Sequence, residues 1–232
     1  MQKILSGVQV KELDALHVKM SGQESHEMME SACMSFINWF LAQYFSLERN
    51  ILIAVGGGNN GGDGLAIARL LTGHSYKVSL LQCFESQDSL SADALLNFKK
   101  LPTSIPVIGI EKWGFSPGDV LIDSFLGVGL KVELRPNAIR IINKLNEFEG
   151  TVISVDIPSG LPSDDLLSEV AVRADFTVSF EFPKLSLLLP EHAEFVGELV
   201  VIKIGILPTT YAEFNTGLFY LEGPDIAPLH KV

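Results

Sequence analysis

The sequence predicts an α/β protein built on a mainly parallel sheet covered by helices on both faces. Three observations carry this. Short, continuous apolar runs such as Ile51-Leu52-Ile53-Ala54-Val55 recur along the chain and read as strands buried on both faces. Segments of helical spacing lie between them, the pattern of successive strand–helix–strand units. Three of the runs end in an acid- or amide-bearing turn, the place where open α/β sheets hold their ligands.

Along the chain, residues 8–20 carry Val8, Leu13, Leu16 and Met20 near helical spacing, with Lys11, Glu12 and Asp14 between. Residues 25–45 extend the same period through Met28, Met29, Ala32, Phe36 and Phe40. Both segments read as core-packing helices without a catalytic part. The strand at 51–55 then runs into glycines, and Asp63 to Leu71 reads as a helix stopped by Gly73. Further strands are expected at Lys77–Cys83, Val107–Ile110, Val120–Asp123, Thr151–Asp156, Phe176–Phe180 and Glu198–Ile204, with helices at about 89–100 and 136–147. From 171 onward strands follow one another with little helix, which suggests extra, antiparallel strands completing one edge. Residues 1–218 read as one domain, and 219–232, aperiodic and carrying Gly223, Pro224 and Pro228, as an extension or the start of a linker.

Composition narrows the function. The chain has 232 residues, 47% hydrophobic, which suffices for a large core without metal or disulfide staples. Its net charge of −11 and the lack of a basic run argue against nucleic acid as a partner, while a compact phosphate site stays allowed. Cys33 and Cys83 sit far apart among apolar neighbours and read as reduced thiols in or near the core. No apolar stretch approaches the ~18–20 residues of a membrane span, and Met1 to Val10 lacks a signal-peptide core. The expectation is a soluble, cytoplasmic protein with no membrane partner.

Three turns carry the chemistry. Gly56-Gly57-Gly58-Asn59-Asn60-Gly61-Gly62-Asp63-Gly64 joins a strand to a helix, where glycines let backbone amides approach an anion. No Lys follows it, so it is not a P-loop, and it fits the dinucleotide fingerprint poorly. A plain tight turn is the alternative. Val120-Leu121-Ile122-Asp123 runs into Ser124-Phe125-Leu126-Gly127-Val128-Gly129, so Asp123 either caps the next element or faces a ligand. Val152-Ile153-Ser154-Val155-Asp156 repeats the pattern before Ile157-Pro158-Ser159-Gly160. If these strands are parallel neighbours, Asn59, Asn60, Asp123, Asp156 and Ser159 meet in one crevice. Such oxygens suit a hard cation, acid–base work or ribose hydroxyls. Histidines 17, 26, 74, 192 and 230 share no metal-ligand spacing and read as surface or cap residues. Lys184, after Phe182-Pro183, either faces a phosphate or, the favoured reading, is a solvated turn lysine.

Taken together, VGGGNNGGDGLAIAR, LIDSFLGVGL, VISVDIPSGL, RADFTVSFEFPKLSLLLPE and GELVVIKIGI resemble the NAD(P)H-hydrate epimerases, the YjeF N-terminal domain family, over about residues 3–207. The resemblance implies a three-layer α/β/α, Rossmann-like domain, often a homodimer. The implied isomerase activity interconverts the R and S epimers of hydrated NADH and NADPH, and a partner dehydratase, sometimes fused, repairs the S epimer. Carried over by position, Asn59, Asn60, Gly61, Gly62 and Asp63 would line the substrate site. Asn60, Asp123 and Ser159 would bind a potassium ion. Gly127, Val128, Gly129, Leu130, Lys131, Val132 and Glu133 would form the phosphate-facing loop. Asp156 would contact substrate and carry the proton. The chain departs from the family pattern at Gly57, where proline is usual, at Val128, where threonine is common, and at Pro162, where aspartate is usual.

Two other classes compete. A non-catalytic Rossmann-like nucleotide-binding or dimerisation scaffold would share the fold, and the presence of both strand-end aspartates favours the enzyme. A redox enzyme using intact NAD(P) needs an acid ~20 residues past the glycines, for which Glu85 is the nearest candidate.

Overall fold

The computed structural model describes residues 1–116, 118–129, 133–167 and 169–221. Strand β1 (Gln2–Lys3) leads into α1 (Gly7–Ser21). There Ser6 accepts from the Gln9 amide at 3.2 Å while Gln9 Oε1 accepts from the Ser6 amide at 3.0 Å. That reciprocal cap starts the helix, and Gly22 at φ 72° ends it. Helix α2 (Ser25–Ala42) buries Cys33, Phe36, Ile37 and Phe40 along one face. Next come β2 (Asn50–Val55), α3 (Asn59–Gly73), β3 (Lys77–Gln82), α4 (Ala92–Lys99) and β4 (Val107–Gly109). The second half continues with β5 (Val120–Ser124), α5 (Pro136–Leu145), β6 (Thr151–Val155) and β7 (Phe176–Phe180). Finally α6 (Ala193–Val196), β8 (Glu198–Ile202), α7 (Pro208–Ala212) and β9 (Phe219–Tyr220) close the described chain.

Seven strands form one sheet in the order β4-β3-β2-β5-β6-β7-β8, every pair parallel. The expected double covering is observed residue by residue. On β2, Ile51, Ile53 and Val55 pack with Phe36, Phe40 and Leu65 on one face. Leu52 and Ala54 pack with Ile141, Ile142 and Leu145 on the other. This is the alternation that a pleated strand imposes. The fold is the three-layer α/β/α arrangement expected.

Several boundaries differ. Helix α3 starts at Asn59, four residues before the expected Asp63, because close packing against the β5 turn holds a glycine-rich first turn that helix propensity disfavours. Helix α4 starts at Ala92, since Ser91 caps it and Gln87–Ser89 form a separate turn. The antiparallel edge expected after 171 is corrected: β8 pairs parallel to β7, register Phe176 to Glu198, and residues 181–197 form the crossover that parallel pairing requires. An antiparallel pair does occur, but in a separate ribbon of β1 and β9. It draws Phe219 and Tyr220, expected in the tail, against Lys3 and Gln2, while residues 222–232 lie outside the described ones. No helix among the described residues is long and apolar enough to cross a membrane.

Candidate active site

The chain runs outward from β2 to β4 on one side of the sheet and from β5 to β8 on the other. A crevice therefore opens at the carboxyl ends of β2 and β5, where the strand order reverses. It holds a cleft of about 890 Å³.

One wall is the start of α3. No side chain caps this helix, whose N-cap is Gly58, so the amides of its first turn are left for a ligand. Gly57, Gly58, Asn59 and Asn60 line the cleft. Glycine is required here by close approach: a Cβ on Gly56 would fall on the Phe125 carbonyl oxygen, and one on Gly61 on that of Gly56. Gly61 and Gly62 are buried in the helix and are not among the residues lining the cleft.

Beneath the floor lies a polar cluster. Asp123, fully buried at the end of β5, accepts from four donors. Ser154 Oγ at 2.9 Å and the Ser159 amide at 2.8 Å bond Oδ2, while Ser159 Oγ at 2.5 Å and the Phe125 amide at 3.2 Å bond Oδ1. Burial raises the Asp123 carboxyl above its ordinary value, and these bonds pull it back. Ser159 Oγ also accepts from the Leu126 amide at 2.7 Å, and Asn60 Nδ2 donates to the Leu126 carbonyl at 2.8 Å. The structure thus gathers Asn60 and Ser159 on the Leu126 backbone, with Asp123 bonded to Ser159 and to the Phe125 amide beside it. Asn60 is 9% exposed, and its Oδ1 has no hydrogen-bond partner. An orphaned buried oxygen beside a buried carboxylate and a hydroxyl is a donor set that fits a hard cation.

Asp156, at the end of β6, lines the cleft with φ 66°, a left-handed conformation that costs a non-glycine residue ~1–2 kcal/mol. What holds it there is β7: the Phe180 amide donates to Oδ1 at 3.0 Å, and Lys184 forms an ion pair with the same oxygen. Lys184 corrects the sequence expectation. It is 1% exposed, and its Nζ also donates to Ser179 Oγ at 3.0 Å and the Phe180 carbonyl at 3.3 Å. A buried ammonium is tolerable only with such partners.

Gly127, Val128, Gly129 and Glu133 line the cleft as well, while Leu130, Lys131 and Val132 lie outside the described residues. Glu85 also lines it. Asp63 reaches it from α3 and donor Cys33 Sγ bonds its Oδ1 at 3.7 Å. Burial, then the charges of Asp156 and Asp14, push the Asp63 carboxyl well above its ordinary value.

Sequence reasoning missed the contribution of α1. Lys11 and Asp14, one helical turn apart, both line the cleft, and Lys11 Nζ lies against Gly129. Burial, with the Asp156 charge adding and the Lys184 charge opposing, raises Asp14 from 3.8 to about 7. The available signal was the position of Asp14 directly after the buried Leu13, on the flank of the packed face. Histidine placement is corrected too. His17 and His192 are buried. His192 Nε2 accepts from the Leu167 amide at 3.0 Å, so Nδ1 carries the proton to the Ser186 carbonyl at 2.8 Å. His74 is the C-cap of α3, as a cap role requires, and His230 lies outside the described residues. Both cysteines are free and buried.

Comparison with known proteins places this geometry. Residues 25–186 match the family model described as YjeF-related protein N-terminus. A Leuconostoc citreum protein named NAD(P)H-hydrate epimerase is 31% identical over 207 residues, 88% of this chain and 91% of its own. A Coxiella burnetii protein named bifunctional NAD(P)H-hydrate repair enzyme Nnr is 29% identical across 95% of this chain, which spans 45% of that relative. The crystal structure of yeast ynu0 matches with a TM-score of 0.75 over 96% of this chain and 98% of the yeast chain, at 20% identity, a likeness of fold.

Proposed function

The chain belongs to the YjeF-related N-terminal family, and from that premise we propose that it is an NAD(P)H-hydrate epimerase, an isomerase of nicotinamide-nucleotide repair. The observation that carries the reading is the Asp156 carboxylate, ion-paired to a buried lysine in a cleft that an uncapped helix start also lines. The substrate, hydrated NADH or NADPH, carries a hydroxyl at C6 of the reduced ring. Protonating that hydroxyl lets water depart with the ring nitrogen's lone pair assisting, and water returning to the other face of planar C6 inverts the centre. Asp156 is the group assigned to give and take this proton.

The amides of Asn59 and Asn60 at the start of α3 and the Gly127–Gly129 turn would hold the pyrophosphate by dipoles, which suits an acidic protein. Asn60 Oδ1, Asp123 and Ser159 would hold a potassium ion. When bound, that ion would supply positive charge beneath the floor, offsetting the buried Asp123 and firming the first turn of α3. Asp123 would be the poorer proton carrier, since a carboxylate beside a bound cation is held ionised. A homodimer, a cytoplasmic location and cooperation with an NAD(P)H-hydrate dehydratase complete the proposal, the last supported by the bifunctional Coxiella relative.

The test is direct. Purified protein is mixed with unequal epimers of hydrated NADH in potassium buffer, and the R/S ratio is followed by chromatography beside Asp156→Ala. Acceleration by wild type and its loss in the variant support both the activity and the role of Asp156. Acceleration in both keeps the enzyme and moves the proton role elsewhere. No acceleration by folded wild type favours the non-catalytic scaffold.

A further inference from the structure

Inverting C6 by loss and return of water needs proton traffic on both faces of the ring, and one carboxylate fixed by β7 is confined to one side. Asp156 is so fixed: its Oδ1 is held by the Phe180 amide and by Lys184. A second carboxyl in the same cleft comes from a different element. Asp14 projects from α1, half-buried, and no hydrogen bond to it is found among the described residues. Its helix is fixed by Leu13, buried against Phe182 and Ile206, so the carboxyl is positioned without being consumed.

We infer that Asp14 is a second catalytic residue, which hands a proton to the hydroxyl leaving one face of C6 while Asp156 takes a proton from the water arriving on the other. The inference rests on the epimerase reading above. In one direction the Asp14 O–H proton moves to the C6 hydroxyl oxygen. The C6–O bond breaks, its electron pair leaving with water, and the ring-nitrogen lone pair forms the C6–N double bond. Water then bonds C6 from the opposite face, the electron pair returns to nitrogen, and the surplus proton passes to the Asp156 carboxylate. The reverse epimerisation runs the same steps backward, with Asp156 as donor, and solvent in the cleft resets the pair between turnovers.

The electrostatics suit the assignment. Burial and the Asp156 charge hold Asp14 protonated up to about pH 7, which keeps a proton donor in the cleft near neutrality. The groups coupled to Asp14 are Asp156 and Lys184 from the β6 and β7 ends and Asp63 from α3; Lys11 and His17 share its helix, and Glu181, ion-paired with Lys203, lines the same cleft. From α2, Glu27 is engaged in its own helix cap and Glu30 with Arg69, and α7 offers Tyr211, packed on Phe182.

The experiment measures kcat/KM for epimer equilibration from pH 5 to 9 in wild type, Asp14→Asn and Asp14→Glu, with a carbon-13 carboxyl titration of wild type. Loss of about 100-fold or more in the asparagine variant, with its fold retained, is the expected result. The glutamate variant should recover part of it, and the rate limb near pH 7 should vanish with the carboxyl. The Asp14 resonance should titrate near 7 and move lower in Asp156→Asn, because the charge that raises it is gone. Wild-type rates and an unchanged pH profile in Asp14→Asn, or an Asp14 resonance titrating near 4, overturn the inference while the epimerase stands. An inactive wild type overturns the epimerase reading itself, and the Asp14 role with it. Because the titration is read in wild type, a variant that fails to fold still leaves that arm decisive.

Discussion

Replacing Asp14 with asparagine should make the protein more stable, and only above mildly acidic pH. In the folded chain Asp14 keeps its proton to about pH 7, whereas in the unfolded chain it releases it near 3.8. Between these values the native state binds more protons than the unfolded one, so this group's contribution to stability falls as pH rises and levels off above 7. Asparagine keeps the shape and carries no titrating group. The stability difference between variant and wild type should therefore be small at pH 4, grow through pH 5 and 6, and reach a plateau by pH 8. The interval from 3.8 to about 7 sets a ceiling of about 4 kcal/mol on that plateau. Water in the cleft screens the charges, so about 2 kcal/mol is the working expectation. Asp63 adds to the same sign, because Asp14 is among the charges that raise it. Urea unfolding at constant ionic strength, with midpoints and slopes fitted for both proteins at six pH values, reads this directly. A difference independent of pH, or a variant that loses stability at pH 8, would refute the claim that the Asp14 carboxyl is held protonated by its surroundings. If the variant is both more stable and slower, stability has been traded for chemistry at this position.

Other outcomes follow from the same contacts. Lys184→Met should destabilise the fold by about 3 kcal/mol, by leaving Asp156 in its strained conformation without its cation, and should abolish epimerisation; melting and the R/S assay check both. Gly61→Ala should lower the melting point by several degrees, since its Cβ would strike the Gly56 carbonyl, whereas Gly58→Ala, with open space at its Cβ, should leave the core intact. Ser159→Ala should cost about 2 kcal/mol, as it deprives the buried Asp123 of one donor and the Leu126 amide of its acceptor, a loss visible in urea midpoints. Exchange of potassium for choline should slow epimerisation and lower the melting point of wild type but not of Asn60→Ala, because Asn60 Oδ1 is the oxygen left for the ion.

The strand runs at 51–55, 120–124 and 151–155 were legible because burial on both faces demands continuous apolar sequence, a requirement each strand states within its own few residues. The glycine turn after β2 and the acids at the ends of β5 and β6 were legible for the same local reason, since turn chemistry and strand ends are written in adjacent residues. From these the sequence by itself determined the fold class and pointed to the candidate group Asn59, Asn60, Asp123, Asp156 and Ser159 at the strand ends. The partners of those residues were decided only in three dimensions. Lys184 after Phe182-Pro183 has the local look of a solvated lysine, and only Asp156, 28 residues away, with Ser179 and the Phe180 carbonyl, makes its burial affordable. Asp14 is one polar position on an amphipathic helix until α1 is laid over the strand ends, where burial and the Asp156 charge change its protonation. The direction of β8 likewise depends on how residues 181–197 cross the sheet. A residue's secondary structure follows from its neighbours in sequence, but the charge state and burial of an ionisable group depend on the field and the solvent exclusion of everything packed around it.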